Sequence, residues 1–209
     1  MWGISSWRNK VDLAFISKRG SRLSMQKQMK VVPLTLDLLK DVNKANDPFS
    51  IFGRIVPSFH HGSWSIEEEL FDESKETRFP DDHLDWESYI DRKDKAVFLA
   101  YLENECIGQV RIIKDVTRFC YIENIAVRKE YRKHGVGAIL LDEAEEWARV
   151  QKLIGLSLES QDDNLAACRF YMKHGFRLGG VDVYRHLHNQ HIDKALFWYK
   201  PFEKDVDPT

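Results

Sequence analysis

The chain has 209 residues, a formal net charge of −2 and 43% hydrophobic residues, which is enough for one well-buried core. No apolar run reaches the roughly 18 residues that a membrane span needs. Its three cysteines lack metal-ligand spacing and predict reduced thiols in a cytoplasmic protein. The composition therefore disfavours membrane-spanning and disulfide-stapled classes.

Charge is unevenly distributed along the chain. Residues 1–30 carry seven Lys or Arg against one acid, whereas residues 65–90 carry ten acids against two bases. We interpret residues 1–28 as a disordered basic extension, 29–203 as one domain and 204–209 as a tail. A basic arm for nucleic acid is the alternative for the extension, but we expect no nucleic-acid partner. The acidic segment is either a solvated surface or the wall of a cleft for a cationic ligand.

Apolar periodicity predicts a series of strands and helices beyond residue 30. They are a strand at 31–34, a helix at 36–46, a hairpin of 51–59 and 64–71, a helix at 82–92, strands at 96–102, 106–114 and 119–127, a helix at 139–150, a strand at 154–159, a helix after Asn164, and strands at 176–187 and 194–200. A meander followed by β-α-β-α-β-β predicts a mixed α/β fold, a single domain with a central, mostly antiparallel sheet flanked by helices.

The turn between strand 119–127 and the next helix has the features of an anion site. It contains Arg132, Lys133, His134, Gly135, Val136, Gly137 and Ala138. A helix N-terminus presents unpaired N–H groups and the positive end of the helix dipole, which suit a pyrophosphate. Glycines let phosphate oxygens approach the backbone, although they also serve as plain turns. The spacing matches neither a P-loop nor the dinucleotide-binding G-x-G-x-x-G.

A second motif follows the strand at 154–159. Asn164, Ala167, Cys168 and Tyr171 recur at i, i+3, i+4 and i+7, so they share one helix face, and Gly175 stands where the helix would end. Asn164 either caps the helix or binds a cofactor. Tyr171 either packs in the core or donates a proton, since a phenol has a pKa near that of a thiol.

Glu123 lies on the strand that enters the anion-site turn. Strict alternation would place Tyr121, Glu123 and Ile125 on one face of the sheet. A partly buried carboxylate there could accept a proton from an amine, directly or through water, or could hold a substrate cation. The alternative is a structural glutamate that pairs with a nearby Lys or Arg.

Two other chemistries receive little support. Cys168 is a candidate nucleophile only by its position, and a buried thiol is the simpler interpretation. His186, His188 and His191 are spaced i, i+2 and i+5, which is not a recognised ligand pattern, so we expect solvated loop histidines and no metal.

The two motifs resemble the signatures of the GNAT superfamily of N-acetyltransferases. They are Arg-x-x-Gly-x-Gly at 132–137 and Asn-x-x-Ala-x-x-Phe-Tyr-x-x-x-Gly-Phe at 164–176. The resemblance implies acetyl-CoA as co-substrate, direct acyl transfer and a Tyr171 hydroxyl near the thiol. It also implies that the strand splays from its neighbour. Backbone groups of Ile125, Ala126 and Val127 would then pair with the pantetheine arm, and one N–H would polarise the thioester.

Further segments resemble the streptothricin acetyltransferases over about residues 29–202. They are 47–57, 64–69, 121–127, 158–164, 181–182 and 194–199. The resemblance implies acetylation of the β-lysine part of streptothricin, an antibiotic-resistance activity. The polycation would then bind near Glu123 with the help of Tyr121, Glu67, Glu68 and Glu69. Asn124 departs from this family's pattern because an acid is expected there.

Other functions stay open at this point. The acceptor could be another cationic amine, such as a polyamine, a lysine-like metabolite or a protein lysine. A non-catalytic acyl-CoA-binding module is a further alternative, which intact Glu123 and Tyr171 disfavour. We expect a small-molecule amine partner and no membrane, and a homodimer is possible.

Overall fold

The computed structural model describes residues 28–187 and 194–203. The predictions for the basic extension up to residue 27, for His188 and His191 and for the tail therefore lie outside the described residues. The strands are β1 (Met29–Pro33), β2 (Phe49–His60), β3 (Ser63–Thr77), β4 (Lys95–Leu102), β5 (Glu105–Lys114), β6 (Cys120–Val127), β7 (Gly155–Gln161), β8 (Arg177–Asp182) and β9 (Ala195–Pro201). The α-helices are α1 (Val136–Val150) and α2 (Leu165–Lys173), and single 3-10 turns cover Leu36–Asp41, Trp86–Tyr89 and Lys129–Tyr131.

Seven strands form one sheet in the order β1-β4-β5-β6-β7-β9-β8. Every neighbouring pair is antiparallel except β6 and β7, which run parallel. Parallel neighbours need a crossover connection, and α1 supplies it. The expected mixed, mostly antiparallel sheet flanked by helices is confirmed.

Helix α1 covers one face of the sheet and closes the main core. Its buried residues Leu140, Ala144 and Ala148 recur every four positions and therefore form one stripe. That stripe packs with buried strand residues such as Ile112 and Leu158. A smaller cluster around Tyr89 and Leu99 covers the opposite face, beneath the first two 3-10 turns.

Strands β2 and β3 form a separate long hairpin. It is attached to the end of β7, because the Ile55 N–H donates to the Asp162 carbonyl at 2.8 Å and Gly53 forms a parallel bridge with Asn164. Ile55 is fully buried in the main core. The hairpin predicted around His60–Gly62 is therefore confirmed, but its second strand continues through the acidic segment as far as Thr77.

Three predicted elements are shorter than their periodicity indicated. The helix at 36–46 is a 3-10 turn, and the chain bends at Asn43, whose φ is 66°. Segment 82–92 contains only a 3-10 turn. Its first residue is held by a long-range hydrogen bond, in which Asn43 Nδ2 donates to the Asp82 carbonyl at 2.9 Å. Strand β8 stops at Asp182, which accepts from two following N–H groups in a turn.

Candidate active site

Strands β6 and β7 diverge in the middle of the sheet. Their parallel pairing joins Cys120 to Leu156, Tyr121 to Ser157 and Ile122 to Leu158, and ends there. Beyond this point β6 pairs only with β5, and β7 only with β9. The backbone edge of β6 after Ile122 therefore faces a gap, which we call the fork, as the family resemblance implied.

A β-bulge at Glu123 marks the start of the fork. In the β5–β6 ladder, Ile112 is opposite Ile122 and Arg111 is opposite Asn124, so Glu123 is the extra residue. Such a bulge bends its strand and redirects side chains.

The bulge also corrects one prediction about the strand. Ile125 is opposite Val110 and packs against the same core as Ile122. Ile125 therefore does not share a face with Tyr121 and Glu123, because the extra residue reverses the alternation.

Glu123 is held by two donors on one oxygen. Arg111 Nε and Tyr89 Oη each lie 3.0 Å from Oε2. Arg111 is buried and also donates to Asp82 at 2.6 Å, with its guanidinium 5.7 Å from the centre of the Trp86 ring. Burial raises the pKa of Tyr89 to about 12, and the Glu123 carboxylate adds to the rise. Glu123 thus has a fixed orientation with 24% of its side chain exposed.

Glu159 on β7 is a site residue that sequence reasoning missed. Its carboxylate accepts from Arg185 Nε at 3.1 Å and contacts His186 Nε2 at 3.0 Å. Burial raises the pKa of the intervening Tyr121, and both Glu159 and Glu123 contribute to the rise. The signal was available, because alternation along β7 places Glu159 on the face of Ser157, which pairs with Tyr121.

His186 is not the solvated histidine that we expected. Only 18% of its side chain is exposed, since it packs against Glu159. Within residues 28–187 and 194–203, no three His, Cys, Asp or Glu side chains are grouped to hold a metal.

Tyr171 on α2 is almost completely buried, with 7% of its surface exposed. Burial raises the pKa of its phenol, so the pKa is not near that of a thiol and the hydroxyl keeps its proton. Its ring packs edge-on against Phe170 and Phe176. No side chain or backbone group of the described residues forms a hydrogen bond with this hydroxyl.

The turn before α1 has the geometry of an anion site. Lys133 and Gly135 both have a positive φ, of 65° and 97°. The Gly135 carbonyl accepts from Ala138 at 3.0 Å and from Ile139 at 3.2 Å. The amides at 135–137 precede these first helical bonds, so they are available to an anionic ligand.

Arg132 has a different role from the one its charge suggested. Its guanidinium donates to the backbone carbonyls of Val127 at 3.0 Å, Pro48 at 2.7 Å and Asp47 at 2.9 Å. Burial lowers the pKa of Arg132, although nearby carboxylates oppose this. The side chain therefore braces the turn against the start of β2, while Lys133 and His134 are exposed.

Close packing explains Gly137, and capping explains Asn164. A Cβ on Gly137 would lie 2.9 Å from the Phe170 ring, so this glycine lets α1 and α2 approach each other. Asn164 Oδ1 accepts from the Ala167 N–H at 3.2 Å, which is the helix-cap alternative. Cys168 is fully buried, and burial raises the pKa of its thiol to about 12, which argues against a nucleophile.

The carboxylates at 67–69 lie on the β2–β3 hairpin and not in a loop. Glu68 is bound by Arg169 of α2, with Nε at 2.9 and 3.1 Å from its two oxygens, and Glu69 lies 3.7 Å from Arg54 Nε. The member of the acidic segment that reaches the Glu123 network is Asp82, through Arg111.

Comparisons with known proteins agree with this geometry. Residues 62–176 match the acetyltransferase (GNAT) family. Streptothricin acetyltransferase A of Bacillus subtilis (strain 168) is 45% identical over 165 residues, which cover 78% of this chain and 95% of that protein. A streptothricin acetyltransferase of Escherichia coli is 32% identical over 109 residues, covering 51% of this chain and 63% of that protein.

Solved structures show the same fold. A Bacillus anthracis protein assigned to the streptothricin acetyltransferases, solved with acetyl coenzyme A, superposes with a TM-score of 0.76 at 30% identity and covers 84% of this chain and 98% of its own. A nourseothricin acetyltransferase superposes with a TM-score of 0.68 at 24% identity, covering 83% and 98% of the two chains, which supports the fold alone.

The chain therefore belongs to the acetyltransferase (GNAT) family and groups there with the streptothricin acetyltransferases. It is an acyl-CoA N-acetyltransferase that uses acetyl-CoA as co-substrate. The fork, the open amides before α1 and the Tyr171 hydroxyl suit that co-substrate. None of the helices within the described residues is long and apolar enough to cross a membrane.

Proposed function

We propose that this protein acetylates an amino group in the β-lysine part of streptothricin and thereby confers resistance to the antibiotic. The observation that carries the proposal is the pair of carboxylates, Glu123 and Glu159, beside Tyr121 at the fork. A polycation is a suitable ligand for such a site. The relative that is 45% identical over 95% of its own length bears the name of this activity.

The co-substrate would bind along the edge of β6 and at the start of α1. The amides at 135–137 would bind the pyrophosphate, with added charge from Lys133 and His134. The backbone of Ile125, Ala126 and Val127 faces the fork and would pair with the pantetheine amides. A main-chain N–H there would polarise the thioester carbonyl. Asn164 would contribute by holding the start of α2 through its cap.

Proton transfer would involve Glu123 and Tyr171. An amine is mostly an ammonium ion near neutral pH, so Glu123 would accept its proton, directly or through water. The nitrogen lone pair then forms the C–N bond while the C–S bond breaks, and the acylated nitrogen releases its second proton to water. Tyr171 would donate a proton to the departing sulfur, and its raised pKa ensures that the proton is present.

The acidic strand would act at longer range. Glu67, Glu68 and Glu69 are exposed on β3, and their charge would raise the local concentration of a cationic substrate. Because Glu68 and Glu69 already face Arg169 and Arg54, this contribution is attraction and not a direct contact.

Another cationic amine is the alternative acceptor, since two carboxylates require only a positive charge. Polyamines, lysine-like metabolites and protein lysines belong to this group. The discriminating experiment measures thiol release from acetyl-CoA with purified protein and a panel of streptothricin, spermidine, lysine and a lysine-containing peptide. We expect streptothricin to have the highest kcat/KM by at least tenfold. Turnover of the other amines without turnover of streptothricin would refute the proposed substrate.

A further inference from the structure

Glu159 lies at the fork but has no part in the proton transfers proposed above. It is one of the last residues of β7, just beyond Leu158, where the pairing with β6 ends. Its side chain is only 14% exposed. A carboxylate this deep is stabilised by a partner cation, and Arg185 provides one, while His186 is a second side-chain partner.

Those two partners come from the segment after β8. Arg185 donates to one oxygen of Glu159 and His186 contacts the other. Arg185 is itself 55% exposed, so this ion pair lies at the border between the protein and solvent. Because only the Arg185 end of the pair is exposed, a ligand cation can replace Arg185 at Glu159 while the released guanidinium is solvated.

Tyr121 connects the two carboxylates. It pairs with Ser157 one position before the last parallel pair, Ile122 and Leu158, and Glu123 and Glu159 come two residues later on the two strands. Both carboxylates are close enough to Tyr121 to raise its pKa. The almost completely buried Tyr171, whose hydroxyl has no hydrogen bond within the described residues, also interacts electrostatically with Tyr121. The carboxylates therefore lie on the two strands that border the fork.

We propose that Glu159 is a binding subsite for a second ammonium group of the acceptor. The inference rests on the proposed function, because a β-lysine residue carries two amino groups on one short chain. Glu123 receives the amine that is acetylated, and Glu159 receives the other, which displaces Arg185. The enzyme thus selects diamines over monoamines.

The test compares ligands that differ by one amino group. β-Lysine amide carries both groups, whereas 3-aminohexanamide and 6-aminohexanamide each lack one. Affinities are measured as inhibition constants against streptothricin acetylation. In the unaltered enzyme, we expect β-lysine amide to bind at least tenfold more tightly than either monoamine, the scale of a charge-assisted hydrogen bond. Glu159→Gln should reduce this preference to about unity.

Two further variants separate binding from folding. Glu145→Gln is the matched control, because Glu145, like Glu159, has two basic side chains as partners, here Lys200 and Arg149, but lies on α1. It should keep the diamine preference. Arg185→Ala removes the competing cation and should tighten β-lysine amide binding severalfold without changing the affinity for acetyl-CoA.

The possible failures are distinguishable. If the unaltered enzyme does not acetylate streptothricin, the proposed function is wrong and the subsite is wrong with it. If streptothricin is acetylated but Glu159→Gln keeps the diamine preference, only the subsite is wrong. Weaker β-lysine amide binding in Arg185→Ala would likewise contradict the displacement of Arg185.

Discussion

Glu123 shows how one residue acquires its role from its neighbours. The bulge turns its side chain toward Arg111, and Tyr89 adds a second donor to the same oxygen. A strand glutamate that pairs with an arginine was the structural alternative, and that pairing is present. The same contact also fixes the carboxylate in one orientation, in which it would meet the incoming amine of the proposed reaction.

Replacing Glu123 separates these two roles. Glu123→Gln keeps the shape but removes the proton acceptor and the charge, so we expect kcat/KM to fall about 10²-fold. The dissociation constant for acetyl-CoA should change little. Asp82→Asn is the control, since Asp82 binds the same Arg111. An equal loss in both variants would mean that Glu123 acts only through Arg111.

Tyr171→Phe tests the buried hydroxyl. The ring packing against Phe170 and Phe176 is retained, so folding and cofactor affinity should be unchanged. We expect kcat to fall by about tenfold or more, since general acid catalysis typically contributes about 10²–10⁴-fold to a rate. An unchanged kcat would make Tyr171 a core residue only.

The pH dependence follows from the direction of the Tyr171 shift. Burial raises the pKa of Tyr171 above its ordinary value of about 10. The phenol therefore stays protonated throughout the neutral and mildly alkaline range. A profile of kcat against pH should show no loss from deprotonation of Tyr171 at any pH up to about 10.

At the scale of elements, the turn before α1 and the fork form the proposed cofactor side of the site. Gly135 caps α1 with a φ of 97°, which a residue with a Cβ adopts only with strain. Gly135→Ala should shift these amides and raise the dissociation constant for acetyl-CoA about tenfold, as measured by calorimetry. Gly62→Ala is the matched control, because Gly62 has a φ of 79° at the hairpin turn with open space around it. If the two variants bind acetyl-CoA equally well, the turn is not the pyrophosphate site.

The Arg132 brace connects this turn to the start of β2. The three donors of a lysine lie on one nitrogen and cannot reproduce contacts that Arg132 makes from three separate nitrogens. Arg132→Lys should therefore weaken acetyl-CoA binding severalfold and lower Tm although it keeps the charge. Lys133→Ala removes an exposed charge and should mainly reduce the salt dependence of binding. Unchanged acetyl-CoA affinity in Arg132→Lys would show that binding depends on the charge of this side chain and not on its three contacts with backbone carbonyls.

At the scale of the whole molecule, buried thiols couple stability to alkaline pH. Burial raises the pKa of Cys120 and Cys168 to about 12 and that of Cys106 to about 11. Above about pH 9 the unfolded chain loses thiol protons that the folded protein keeps, so the free energy of unfolding falls as pH rises.

Urea unfolding between pH 8 and pH 10.5 would measure this loss. We expect a slope that approaches about 1.4 kcal/mol per pH unit for each buried thiol. The double variant Cys120→Ala and Cys168→Ala removes two of these groups, so its slope above pH 9 should be shallower. Identical slopes would show that other groups control the alkaline transition.

The homodimer stays a prediction, which analytical ultracentrifugation of the purified protein can test.

Local patterns in the sequence determined most of the elements and both motifs on which the GNAT resemblance rests. The meander, the turn at 132–138 and the helix after Asn164 are short-range features, so period, glycine and capping residues reveal them. The family resemblance added the divergence of β6 and β7.

Only the tertiary structure decided the detailed contacts of the proposed site. The bulge at Glu123 exists in the pairing of two strands, and the contact of Glu159 with Arg185 joins residues 26 positions apart in the sequence. Arg132 meets carbonyls 84 and 85 positions away, so its brace could not be read from its own motif. The segments predicted as helices at 36–46 and 82–92 contain only short 3-10 segments for the same reason. Contacts between distant segments outweigh local propensity, which differs by less than about 1 kcal/mol for most residues.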